Sequence, residues 1–111
     1  MIKKDYEMVS GDTFKFGFVL RDKNGVPIDL SGGSSSFTLR ESLYSDVLIS
    51  KSGTVTSEGE VDFELEPNDT SSLIVSKSCK YFVYDVEYTD FEGDVTTISM
   101  GNFKIKQGVS R

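Results

Sequence analysis

Histidine is absent from the 111 residues and cysteine occurs once, at Cys79. The first absence removes the base on which a serine or cysteine nucleophile ordinarily depends; the second rules out an intrachain disulfide and leaves a structural thiol as the expected role. No apolar run approaches the roughly 18 residues needed to span a bilayer. The opening Met1-Ile2-Lys3-Lys4-Asp5-Tyr6-Glu7 lacks the apolar stretch of a signal peptide. Synthesis in a reducing cytoplasm is the expectation. Basic residues are scarce: twelve face eighteen acids, for a net charge of −6, and they are scattered singly except at Lys3-Lys4. Nucleic-acid backbones are held by clustered Lys and Arg, so neither nucleic acid nor membrane is expected as a partner.

What is present is aromatic. Eight Phe and five Tyr allow a core of few, bulky side chains, since each ring buries roughly 150–250 Å². The length suits one domain, 1–111. Phe14, Phe16, Phe18 and Leu20 alternate with Thr13, Lys15, Gly17 and Val19, the period of two that marks a half-buried strand. The same alternation puts Phe82, Tyr84, Val86 and Tyr88 on one face, and Val61, Phe63 and Leu65 opposite a row of acids. Asp22-Lys23-Asn24-Gly25 and Asp90-Phe91-Glu92-Gly93 end two aromatic strands with similar turn chemistry. Phe37, Leu39 and Leu43 predict a further strand, Asp46 to Lys51 another, and Thr54-Val55-Thr56 a short continuation of it. Pro27 has no donor for a ladder and belongs at an edge or outside the sheet. A helical piece of at most two turns starts at Pro67 and ends with Leu73 and Ile74 against the core. Gly101 is expected to mark a bulge before Phe103 and Ile105. The pattern predicts an all-β, immunoglobulin-like sandwich of about seven to eight antiparallel strands, with one short helical crossover and short terminal arms.

Chemistry is harder to find. Asp22-Lys23-Asn24-Gly25 and Asp90-Phe91-Glu92-Gly93-Asp94 contain fragments of a calcium-loop spacing without its distal acid. Asp85 and Glu87 share a strand face, which alternation on a solvated sheet explains without a catalytic pocket. Gly32-Gly33 is not followed by the Lys and helix of a phosphate loop. No catalytic residue, cofactor site or metal ligand is therefore expected. Tyr81 on the outer face and Phe91 at a turn tip are the aromatics least needed inside, and so the best candidates for partner contact. Tyr6 to Val9 reads as a short first strand or arm, ended by Ser10-Gly11-Asp12. The arms 1–9 and 107–111 add Lys3, Lys4, Tyr6, Val109 and Arg111, because terminal segments are easily reordered on binding.

The order of motifs is itself informative. Ser10-Gly11-Asp12-Thr13-Phe14 precedes Asp22-x-x-Gly25-x-Pro27-Ile28-Asp29-Leu30-Ser31-Gly32 and Phe37-x-Leu39-Arg40. Gly59-x-Val61-x-Phe63-x-Leu65, Asp69-Thr70-x-x-Leu73, Tyr84-Asp85-Val86-Glu87-Tyr88-Thr89-Asp90, Gly93-x-Val95-x-Thr97 and Gly101-x-Phe103-x-Ile105 follow. From about Val9 onward this order resembles small virion proteins of tailed bacteriophages, in particular the immunoglobulin-like N-terminal module of phage upper baseplate proteins. The stretch Ser76-Lys77-Ser78-Cys79-Lys80 departs from that pattern, where a glycine would precede the Tyr strand. The resemblance implies a non-enzymatic structural subunit, present in repeated copies at the tail, baseplate, neck or capsid surface. Other virion proteins, or further copies of itself, would be its partners. Ending at Arg111, the chain is expected to act as a small complete subunit. The alternative expectation is a host-surface module binding carbohydrate or protein through the 31–36 loop and the 90–94 turn, or a capsid decoration protein.

Overall fold

A computed structural model describes residues 2–71, 73 and 79–107. Its strands are β1 (Ile2–Lys3), β2 (Tyr6–Val9), β3 (Phe14–Val19), β4 (Ser34–Arg40), β5 (Val47–Ser52), β6 (Thr54–Val55), β7 (Glu60–Leu65), β8 (Cys79–Thr89) and β9 (Val95–Lys106); the helix α1 (Pro67–Thr70) is a single turn. One sheet runs β1-β9-β8-β4-β5, with β2 also on β9; the other runs β3-β7-β6. This two-layer strand order is that of an immunoglobulin-like sandwich, with an extra strand beside the sheet that carries the final hairpin.

The alternating rings meet between the layers. Phe37 on β4 is fully buried, with ring centroids 5.2 Å from Phe16, 5.7 Å from Tyr84 and 5.7 Å from Phe103. Phe63 stacks on Phe16 at 5.4 Å. Offset and edge-on pairs of this kind add roughly 0.5–1.5 kcal/mol each beyond the area they bury. Pro67 occupies the start of α1, which leads from the β7 sheet to the β8 sheet. The crossover is fastened to the corner between β2 and β3: the Ser10 hydroxyl donates to Thr70 O at 3.0 Å, and Gly11 N–H to Thr70 Oγ1 at 3.0 Å. Leu73 packs partly buried against the core; Ile74 and Ser76 to Ser78 lie outside the described residues.

Four local expectations need correction. Of the two readings of Tyr6 to Val9, the short first strand is the one observed, as β2, and the N-terminal residues are not a free arm. β1 and β2 pair in parallel with β9, with Ile2 opposite Ser99 and Tyr6 opposite Phe103, and Met8 is buried. Leu43 does not extend β4: that strand ends at Arg40, and Leu43 stands 66% exposed on the following turn. β6 does not continue β5 but joins the other sheet on β7. The bulge in β9 falls at Ile98, where the register slips between Val86–Ser99 and Glu87–Thr97; it turns the consecutive Ile98 and Ser99 both inward. Gly101 instead pairs regularly with Tyr84. Glycine is required there because a Cβ would collide with the Lys4 carbonyl. That carbonyl accepts the Tyr84 hydroxyl at 2.5 Å, while Asp5 Oδ1 accepts Asn102 N–H at 2.9 Å. These contacts fix the break between β1 and β2 against β9.

Candidate interaction surface

The turn between β4 and β5 displays its apolar side chains outward. Ser45 N–H donates to Ser42 O at 3.2 Å, the two serine hydroxyls lie 2.7 Å apart, and the Arg40 guanidinium donates to Ser45 O at 3.1 Å. The tip between them is thereby held in one shape, presenting Leu43 at 66% and Tyr44 at 97% exposure. Val47 and Leu48 follow, each nearly half exposed. The register slip between Leu39 and Arg40 sets Val47 opposite Arg40, on the outer face. Leu43 also borders a shallow groove of about 270 Å³ on that face with Thr38, Arg40, Val83, Asp85 and Met100.

Tyr81 belongs to the same outer face. It is 61% exposed and opposite Lys104, whose ammonium lies 5.4 Å from the ring centroid. Tyr81 is the first cause holding the Lys104 pKa above its ordinary value, with Glu7 adding to it. Glu7 bridges Lys104 at 3.5 Å and Lys106 at 3.1 Å, and its carboxyl is held below the usual range chiefly by the Lys106 hydrogen bond. Glu41, beside the tip, meets Lys80 at 2.6 Å. Exposed apolar and aromatic side chains with ion pairs nearby are the materials of a protein interface, whose core is depleted of charge and whose rim is polar.

The other anticipated contact residues are scattered. Phe91 is 76% exposed but sits beyond the far end of β8 from Tyr81, about 30 Å away at the rise of a strand. There it faces a different loop: a Cβ on Gly32 would lie 3.4 Å from Phe91 Cβ. The turn 90–94 and the loop 29–33 therefore share one end of the sandwich, and the Tyr88 hydroxyl, donating to Leu30 O at 2.9 Å, ties them together. Ser34 to Ser36, expected in that loop, belong to β4. Lys3 is exposed on β1; the Lys4 ammonium lies over the Tyr6 ring at 5.3 Å. Tyr6 is a correction. Its ring contacts Phe14, Phe16, Phe18, Tyr84 and Phe103, so it belongs to the core rather than to a partner. Burial first, and Tyr84 second, push its pKa up to about 12. Val109 and Arg111 lie outside the described residues.

Sequence reasoning missed Leu43 and Tyr44, assigning the first to a strand. The Ser42-Leu43-Tyr44-Ser45 order, two apolar residues between hydroxyls, was the available signal. Among the described residues, no three acids or cysteines come together in a way that could hold a metal. Asp22 Oδ1 and Asp90 Oδ1 each accept two amides of their own turns.

No protein-family model matches the chain, and no curated protein is similar to it. Among solved structures, one of murine CRIg aligns over 94% of this chain and 92% of that one, at 8% identity and a TM-score of 0.40. At that level the likeness bears on neither partner nor activity.

Proposed function

We infer that this chain is a non-enzymatic structural subunit of a tailed-phage particle, made in the host cytoplasm and held in repeated copies by neighbouring virion proteins. The observation that carries the reading is the braced 42–45 tip, which displays Leu43 and Tyr44 beside Val47 and Leu48, at one end of a sheet whose outer face also carries Tyr81. A pre-shaped turn loses little freedom on docking, and tyrosines at the centre of an interface are frequent sources of its binding energy. The ordered motifs shared with phage baseplate modules support the setting. Mass spectrometry of particles purified from the producing strain is the test. The chain should be present in multiple copies, and its absence from mature particles would overturn the reading. The double variant Leu43→Ser, Tyr44→Ser should fold normally, because both side chains are exposed, yet be lost from particles. Removing an anchor worth about 2 kcal/mol lowers occupancy roughly 30-fold.

A second reading, a host-surface or capsid decoration module, is favoured by the proximity of Gly32 to Phe91. It predicts that glycan arrays or cell binding respond to Phe91→Ser and not to the Leu43 and Tyr44 variants.

A further inference from the structure

Among the described residues, the β3 strand has a free edge. Leu20 N–H donates to Gly59 O at 2.8 Å, and hydrogen-bonded pairs recur at every second residue of an antiparallel ladder. Phe14, Phe16 and Phe18 therefore turn their peptide groups toward Leu65, Phe63 and Val61 on β7. Lys15, Gly17 and Val19 turn theirs away, to a side where no described strand lies. The remaining edges are blunted by devices that discourage pairing. β5 carries a register slip, β6 has two residues, and the β1–β2 edge is broken at Lys4 and Asp5. β3 is six residues long, without bulge or proline.

The two faces of this edge differ. On the outer face Gly17 has no side chain, and the Asp62 carboxylate leans over it so closely that a Cβ at 17 would collide with Oδ1. The Asp62 carboxylate makes no hydrogen bond or ion pair among the described residues. Glu60 and Glu64 flank it on β7, and Lys15 meets Glu64 at 3.6 Å. On the inner side lie the half-buried rings of Phe14 and Phe16. A groove of about 430 Å³, in which Arg21, Thr96 and Thr97 accompany Ile2, Val19, Leu20, Ile28 and Ile98, opens at the end of the strand.

We propose that β3 receives an extended segment of a partner protein with alternating apolar and basic residues, which adds a strand to the β3-β7-β6 sheet. Its main-chain groups pair with Lys15, Gly17 and Val19; a Lys or Arg opposite Gly17 reaches Asp62 across the glycine; the alternate apolar side chains turn inward toward Phe14, Phe16 and the groove. Main-chain bonds supply affinity in this mode and alternate side chains supply specificity. The acidic outer row favours the basic segment over a second copy's β3, which would bring a second Asp62 toward the first. The proposal concerns a different surface from the 42–45 tip and stands or falls separately from the virion reading.

The full chain labelled with 15N provides the test, with hydrogen exchange read residue by residue. In the free chain the amides of Lys15, Gly17 and Val19 should exchange at least tenfold faster than those of Phe14, Phe16 and Phe18. A capped peptide of alternating valine and lysine should slow these three amides at least tenfold at saturation, and its glutamate counterpart should not. Asp62→Asn should weaken the lysine peptide two- to fivefold, in the range of an exposed ion pair, with the rest of the spectrum unchanged. Slow exchange at the three amides in the free chain would overturn the proposal. So would failure of the lysine peptide to bind, equal binding of both peptides, binding unaffected by Asp62→Asn, or a dimer of the chain formed through β3.

Discussion

Turns 22–26 and 90–94 are built alike, and turn 56–60 repeats them with a threonine hydroxyl where the others have a carboxylate. In the first two, Asp Oδ1 accepts the amides two and four residues on, at 2.8 and 3.0 Å in one and 2.9 and 3.0 Å in the other. In the third, Thr56 Oγ1 accepts Glu58 N–H at 3.2 Å and Glu60 N–H at 3.1 Å. All three have a glycine at the fourth position with φ between 80° and 91°, where an L side chain is strained by roughly 1–2 kcal/mol. Their surroundings differ. A Cβ on Gly25 or Gly93 would meet nothing within 4 Å, whereas one on Gly59 would lie 2.5 Å from the Leu20 carbonyl oxygen and 3.2 Å from Ile28 backbone atoms. The local hydrogen bonds set the turn; its packing sets what a substitution costs.

That contrast can be broken by mutation, and urea denaturation reads each result. Gly59→Ala combines left-handed strain with a backbone collision and should destabilise by about 3 kcal/mol; a loss no larger than that at Gly93 would erase the distinction. Asp22→Ala and Asp90→Ala each remove the acceptor of two exposed amides and should cost about 1–2 kcal/mol. Thr56→Ala should cost a similar amount if the hydroxyl does the work of the carboxylate. Gly25→Ala and Gly93→Ala should each cost about 1 kcal/mol, from strain alone.

The smallest effect at neutral pH belongs to Tyr6, whose buried hydroxyl has no hydrogen-bond partner among the described residues. Tyr6→Phe relieves that hydroxyl and should leave stability unchanged or slightly raised near pH 7. Above pH 10 the two proteins should separate. The folded Tyr6 keeps its proton to about 12, while the unfolded chain releases it near 10. Stability present below pH 10 is therefore lost between roughly 10 and 12, and Tyr6→Phe should lose less over that range. Parallel curves for the two proteins would contradict the buried placement of the ring.

The sandwich was legible because its signals are short-range. The alternation around Phe82, Tyr84 and Val86, and the Asp-x-x-Gly turns, can be read within a dozen residues. The third turn escaped notice because Thr56 stands where aspartate was sought. A strand at Tyr6 to Val9 was legible as one of two readings, but the parallel seam of β1 and β2 on β9 was not, because their partners lie almost a chain length away. The same holds for the bulge at Ile98, since Gly101 carries the ordinary signature of one and is needed instead for the passage of Lys4. Of the interaction surface, the outward setting of Tyr81 followed from parity along β8. The display of Leu43 and Tyr44 did not, because a turn's display depends on where the strand before it stops.

Residue order alone, then, determined which side chains share a face along each long strand and where the two Asp-x-x-Gly turns reverse the chain, since parity along a strand and the hydrogen bonds of a four-residue turn involve only near neighbours. Tertiary structure decided which strands became edges, which aromatic joined the core and which glycine is irreplaceable. Each of those depends on the segment that arrives from far along the chain, as Tyr6 arrives beside Phe103 and the Lys4 carbonyl above Gly101.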